Sequence, residues 1–276
     1  MVGERKMLRH VRITRFKNLQ DITIQLERVN VLVGSNNSGK SSILHAIQFA
    51  VSVSQTTSLE KNRWEGERLP TSLSPTQLIY SPLRDVTALA PGGILREPIE
   101  HAIEIEFEEI EENNRTIITV RKGRNKNIVT AITGKALGQK LQKIEEPYSI
   151  FVPGLAGIPS VEEYKTPGII RKAAARGDAN NVFRNVLWLL RKEDDDWKKF
   201  CNDLKCIFPN LSIDVTFDPE RDEYINAQII LDGQRLPIDA AGTGVLQAIQ
   251  ILSYVNVYKP KLLILDEPDS HLHPNN

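Results

Sequence analysis

Residues 34–41, Gly-Ser-Asn-Asn-Ser-Gly-Lys-Ser, stand between the β-branched run Val29-Asn30-Val31-Leu32-Val33 and a stretch in which Ile43, Ile47 and Val51 recur at helical spacing. Strand, glycine-rich loop and helix in that order predict a cradle for a nucleoside triphosphate. Gly34 and Gly39 let the backbone curl until successive N–H groups point inward, Lys40 reaches the β and γ oxygens, and the Ser41 hydroxyl can ligate Mg2+. The helix adds its positive end to the same anion. An ordinary glycine-rich turn needs neither the strand before it nor the helix after it. The ligand expected from this stretch is ATP with Mg2+.

Residues 261–268, Lys-Leu-Leu-Ile-Leu-Asp-Glu-Pro, form an apolar run that ends in two adjacent carboxylates. The run reads as a buried parallel strand whose carboxyl end faces a ligand. Successive side chains on a strand diverge, so the two acids divide the work. Asp266 is assigned to Mg2+, directly or through a coordinated water, and Glu267 to polarising the water that attacks the γ-phosphate. Two solvated acids at a strand end is the plainer reading, and a phosphate loop in the same chain weighs against it. A third element, Asp239-Ala240-Ala241-Gly242-Thr243-Gly244, opens a helix striped by Val245, Ile249 and Leu252. Such an end attracts anions; taken alone, the stretch reads equally as a simple glycine-threonine helix start.

Together, the loop GSNNSGKSS, the helix start AAGTGVLQ and the segment LLILDEPDSHLHP resemble the ATP-binding-cassette (ABC) ATPases, specifically their SMC/RecF/OLD-like branch. The opening Ile13-Thr14-Arg15-Phe16-Lys17-Asn18-Leu19 is similar to that branch rather than to a transporter subunit. The resemblance implies an α/β P-loop NTPase of ABC type, with a mixed sheet around the phosphate loop, an antiparallel β part and a helical lobe. It also implies ATP sandwiched in a head-to-tail homodimer, Gly242, Thr243 and Gly244 of one protomer reaching the other's nucleotide. Lys40 and Ser41 would then be the phosphate and Mg2+ contacts, with Gly34, Asn36, Asn37, Ser38, Gly39 and Ser42 as the surrounding loop. Gln77, ahead of Leu78-Ile79-Tyr80, is the counterpart of the glutamine that reaches nucleotide and metal, although its setting Ser-Pro-Thr-Gln reads equally as a surface glutamine.

This chain departs from the pattern in two places. Ala240 or Ala241 replaces the serine that precedes the signature glycines, so a γ-phosphate hydrogen bond is missing or falls to Thr243, and slow hydrolysis is expected. The family's switch histidine follows a further strand, which the sequence ending at Asn276 does not reach; His271 and His273 lie in the D-loop stretch and are not its counterparts. The chain therefore reads as the N-terminal part of a longer protein, in which a TOPRIM nuclease domain is one expected continuation. The implied role is ATP-dependent dimerisation controlling a DNA-related or anti-phage defence activity. The alternative is a low-turnover nucleotide-sensing scaffold that recruits a partner nuclease or toxin.

Composition narrows the setting. A 276-residue chain that is 41% hydrophobic buries a large core, expected as one domain of two lobes: a discontinuous nucleotide-binding lobe over 1–158 and 209–276, and a helical lobe over 159–208. Lys plus Arg and Asp plus Glu both number 35, so no global field draws the chain toward nucleic acid. A DNA partner has only the basic turn at 121–126 to argue for it, and the neighbouring Glu104, Glu106 and Glu108 offer that turn charge partners. The sequence has neither a membrane-length apolar run nor a secretory signal, so a cytoplasmic location is expected. Cys201 and Cys206 lack nearby histidines for a zinc site and read as structural thiols. Residues 8–33 read as two or three strands, 54–76 as a surface insertion and 81–93 as a loop, in which Arg84 and Asp85 read as a solvated pair. Alternation predicts a half-exposed strand with Ile103, Ile105 and Phe107 inward, pairing with 116–120 and 128–132. Helices are expected over 181–191 and 194–208, and strands over 211–217, 224–231 and 234–238. No heptad pattern supports a coiled-coil arm.

Overall fold

The computed structural model describes residues 8–110, 114–154 and 157–268. Residues 269–276, with His271 and His273, lie outside that range. The chain groups into two compact units, Met1–Ser149 and Ile150–Asn276, and each is considered by itself.

The first unit contains β1 (Leu8–Phe16), β2 (Leu19–Gln25), α1 (Lys40–Leu59), β3 (Arg68–Leu73), β4 (Ile103–Glu109), β5 (Arg115–Lys122), β6 (Ile128–Thr133) and α2 (Lys135–Leu141). Its strands form one antiparallel sheet in the order β2-β1-β4-β5-β6-β3. Alternation decides which face is covered. Val11, Ile13, Ile103, Ile105, Phe107, Ile118, Val120 and Ile132 are wholly or almost wholly buried, and α1 packs across β1, β4 and β5. The expected β4–β6 meander is present with Ile105 opposite Ile118 and Ile118 opposite Ile132. On the other face the β4 glutamates pair with Arg9, Arg15 and Arg115 rather than with the basic turn. His10 Nε2 lies 3.6 Å from Glu106 and 3.5 Å from Glu108, a cation-sized cluster. Arg115 grips Glu106 at 2.5 and 2.7 Å and Arg9 lies 3.3 Å from Glu108, so the group is an ion ladder already neutralised by guanidinium.

Two expectations for this unit do not hold. Residues 54–76 are not a surface insertion: α1 runs on to Leu59, with Ser54, Gln55, Thr56 and Thr57 fully buried, and β3 is a sheet strand. The helix satisfies its own hydroxyls, since Ser54, Thr56 and Thr57 donate to the carbonyls of Ala50, Ser52 and Ser54 at 3.0, 2.8 and 2.7 Å. Polar composition therefore gives the wrong sign for burial. Residues 29–33 do not form the strand expected before the phosphate loop: Val29, Val31 and Val33 are 81, 78 and 88% exposed. A parallel strand needs neighbours reached by crossover connections, and every strand pairing described in this unit is antiparallel. The α/β class expected for the chain holds, and among the described residues of this unit the sheet is antiparallel with helices packed on it.

The second unit contains β7 (Ser149–Val152), α3 (Pro167–Ala175), α4 (Phe183–Arg191), α5 (Asp194–Ile207), β8 (Leu211–Thr216), β9 (Asn226–Leu231), β10 (Gln234–Pro237), α6 (Thr243–Tyr258) and β11 (Leu262–Leu265). Strands β10-β9-β8 form an antiparallel sheet, and β11 pairs with β7. Phe183, Leu187 and Leu190 of α4 and Phe200 and Leu204 of α5 share one core with Ile213, Val215, Ile229, Leu246 and Ile249. The helices of 159–208 are thus packed with the strands that follow them. Three acids in the first turn of α5 oppose its positive end, and Lys259 after α6 reaches Asp196 at 2.8 Å. Cys201 is half-buried, burial pushing its thiol up, whereas Cys206 is exposed. No described helix is long and apolar enough to cross a membrane.

Ser52 Oγ donates to the Tyr80 carbonyl at 3.0 Å and accepts from the Tyr80 amide at 2.6 Å, in a buried position. Ser52→Ala strands both groups and is expected to cost about 1–3 kcal/mol. Urea denaturation measures the loss; an unchanged midpoint would show that the Ser52 bonds do not hold the 78–80 segment.

Candidate nucleotide-binding site

The phosphate loop lies in the first unit. Asn37 and Gly39 take left-handed φ values of 65° and 99°, which turn the chain sharply into α1. Gly39 is buried, and a Cβ there would lie 3.1 Å from Leu19 Cδ2 and 3.5 Å from the Asn18 amide. A Cβ on Gly34 would lie 2.8 Å from Ser38 Oγ, so the loop closes on both glycines. Lys40 Nζ folds back over the loop, donating to the carbonyls of Gly34 at 2.7 Å and Ser35 at 2.9 Å. The N-cap of α1 is Gly39, which has no side chain to offer the first amides. The first helical amides and an ammonium are thereby gathered at one loop, which suits an anion. Asn36, Asn37 and Ser38 are exposed on the loop, and Ser41 and Ser42 are half-buried in the first helical turn.

The turn between β1 and β2 buttresses this loop, a role that sequence reasoning did not give it. Lys17 Nζ lies 3.0 Å from His45 Nδ1 on α1, and the Lys17 amide donates to the Leu89 carbonyl at 2.6 Å. Phe16 and Phe49 meet with ring centroids 5.9 Å apart. The sequence signal was His45 itself, one helical turn beyond Ser41 and on the same face.

Gln77 is exposed at the end of a short turn, where its Oε1 accepts from the Ser74 amide at 2.7 Å in a capping box. Reaching a nucleotide or metal would require that bond to break. The segment after it is fastened to α1, since Thr56 Oγ1 accepts from the Ile79 amide at 3.1 Å beside the Ser52–Tyr80 pair. Asp85 is a local cap as well: its carboxylate accepts from the Thr87 hydroxyl and amide at 2.7 and 2.9 Å, and these bonds hold it below the usual carboxylate range.

The acidic pair and the glycine-rich helix start lie in the second unit. In β11, Ile264 is buried while Leu262, Leu263 and Leu265 are half-buried, less than expected of a strand covered on both sides. The Asp266 amide donates to the Val152 carbonyl at 3.2 Å, extending the pairing with β7. Glu267 has φ 48° and is exposed, so the chain turns between the half-buried Asp266 and the exposed Glu267. Their different environments fit different roles.

Helix α6 opens at Thr243 as expected, with Gly242 as an N-cap that makes no side-chain capping bond. Gly242 has φ −60°, and a Cβ added to it would meet nothing within 4 Å. Neither backbone strain nor packing demands glycine there, which leaves the space in front of α6 for something outside the unit to approach. The turn before it, Ile238–Ala240, is tethered by Asp239, whose carboxylate accepts from Arg184 Nη2 at 3.1 Å. Glu162 accepts from the amides of Arg184 and Asn185 at 2.8 and 2.9 Å and so caps α4; its burial pushes the carboxyl up against those donors.

Residues 7–80 match the AAA ATPase domain family, a stretch that includes β1, β2, the phosphate loop, α1, β3 and Gln77. Among solved structures, the SMC head domain from Thermotoga maritima is similar over 98% of this chain and 80% of that chain, with 15% sequence identity and a TM-score of 0.48. No curated protein matches the chain. The N-terminal stretch is thus similar to ATPase domains in the part that carries the loop.

Gly39→Ala places a Cβ at a left-handed φ and against Leu19, and is expected to cost about 1–3 kcal/mol. Gly242→Ala, with open space around it, is expected to cost no more than about 1 kcal/mol. Thermal denaturation of the two variants side by side checks the contrast.

Proposed function

We propose that the chain is the Mg-ATP-binding and hydrolysing part of an ABC-type ATPase of the SMC/RecF/OLD-like branch. The observation that carries the reading is the loop: left-handed Asn37 and Gly39 at the start of α1, and Lys40 Nζ aimed back at the Gly34 and Ser35 carbonyls. An entering triphosphate offers Lys40 anionic oxygens in place of neutral carbonyls, and charge-assisted bonds are roughly twice as strong as neutral ones. The surrounding loop, Gly34 to Ser42, lends backbone donors. Ser41 and Asp266 would hold Mg2+, which when bound neutralises charge on the β and γ oxygens. Glu267 takes the proton of the water that attacks the γ-phosphorus, releasing ADP and phosphate. Gln77 joins the site only after leaving its cap.

The finer part of the reading is a head-to-tail homodimer in which Gly242, Thr243 and Gly244 approach the partner's nucleotide, with ATP-driven dimerisation controlling a DNA-related or defence activity. The open space before Gly242 supports an approach of that kind. A second reading, a low-turnover sensor that recruits a nuclease or toxin, is favoured by Ala240 and Ala241 in place of a serine.

Lys40→Ala is expected to weaken binding of a fluorescent Mg-ATP analogue at least tenfold, about 1.4 kcal/mol; equal affinity refutes the loop assignment. Glu267→Gln is expected to keep that affinity, lower turnover by about 10²-fold or more and accumulate as a dimer in Mg-ATP. Light scattering reads the last point, and a Glu267→Gln protein that stays monomeric at saturating nucleotide removes the sandwich.

A further inference from the structure

We propose that Arg184 is a positioning residue for the ATPase reaction: acting through Asp239, it sets the direction of the Gly242 helix start. The inference rests on the ATPase reading above.

The Arg184 side chain is 4% exposed and held at both ends. Its own amide donates to Glu162 at the first turn of α4. Its guanidinium donates to the Pro159 carbonyl at 2.5 Å, to the Ser160 carbonyl at 3.3 Å and to the Asp239 carboxylate at 3.1 Å. Asn185 completes the frame, donating to Glu162 at 2.6 Å and to the Glu163 carbonyl at 2.8 Å while accepting from the Lys165 amide at 2.7 Å. The guanidinium fork is therefore fixed before it meets Asp239, and a planar fork loses little freedom in doing so.

Asp239 sits in the turn that aims α6. Ile238 is fully buried in the second-unit core, the Ala241 amide closes the turn on the Ile238 carbonyl at 3.1 Å, and the Leu246 amide begins the helix on the Gly242 carbonyl at 3.1 Å. Gly242 has no side chain with which to fix the helix start, so the turn before it sets the direction of the first α6 amides. The apolar side is pinned by Ile238, and the polar side is tethered by Asp239 to Arg184. With the Asp239 carboxylate open to solvent the ion pair adds little net stability, so its use here is to specify geometry. The γ-phosphate contacts proposed for Gly242 to Gly244 depend on that geometry, whereas nucleotide capture by the Lys40 loop does not.

The test uses the full chain and Asp239, whose side chain is 45% exposed and tolerates replacement better than Arg184. Turnover, affinity for a fluorescent ATP analogue and thermal midpoint are measured for wild type, Asp239→Asn and Asp239→Glu. Asp239→Asn is expected to lower kcat by about 10- to 100-fold, the scale of a misplacement of about 1 Å, with analogue affinity and midpoint unchanged. Asp239→Glu, which keeps a carboxylate within reach of the fork, is expected to recover part of the rate. An undiminished kcat in Asp239→Asn, a midpoint that falls along with kcat, or no recovery with Glu overturns the positioning role alone. Wild-type protein that neither binds the analogue nor turns over ATP overturns the ATPase reading, and this inference with it.

Discussion

Helix α1 is the part on which the first unit depends, and a polar seam determines where it sits. Ser52 and Thr56, one turn apart, bond the backbone of Ile79 and Tyr80 much as a neighbouring strand would. The adjoining face of the helix places Phe49 and Val53 in the sheet core, with Phe49 against Phe16. At its start, Gly39 lies against Leu19 and Asn18, and His45 lies beside Lys17. Held from several directions, the helix presents its first amides at a fixed place and angle. An anion site made of backbone donors has no other way to keep its shape, because such donors move only with the element that carries them.

The second unit solves a comparable problem with charge in place of hydroxyls. The start of α4 is capped by Glu162 from the chain before it, and Arg184 and Asn185 return the contact. The polar groups in this knot are largely satisfied by one another, the condition under which a buried network specifies one arrangement. One rim of the knot is Asp239, so the packing of the helices and the aim of α6 share a common anchor.

Much of this was legible in sequence because period and burial agreed. The β4 alternation, the turns bounding β8 to β10, and the stripes of α4 and α5 each present one apolar face to one core, and the structure matches them to within a residue or two. Glycine spacing located the tight turn at Asn37 and Gly39 for a similar reason, since left-handed backbone leaves a compositional trace. Legibility failed where polar side chains are buried within helices. Ser54 to Thr57 read as surface, and the stripe expected for α6 leaves out Gln247, Gln250, Ser253 and Asn256, which are buried beside the fully buried Tyr254. It failed again for residues 29–33, whose alternation implies a partner strand but cannot supply one. The Lys17–His45 and Arg184–Asp239 contacts join residues 28 and 55 positions apart, and single-sequence periodicity carries no information at that range.

The exposed Val-Asn-Val-Leu-Val stretch has a bearing on handling the protein. Three exposed valines in an uncharged run of five invite pairing with another copy, and only Glu27 and Arg28 stand beside them as charged gatekeepers. Association through such a ribbon grows with protein concentration and is indifferent to nucleotide. Aggregation that rises with protein concentration in the absence of ATP would mark this stretch as its source.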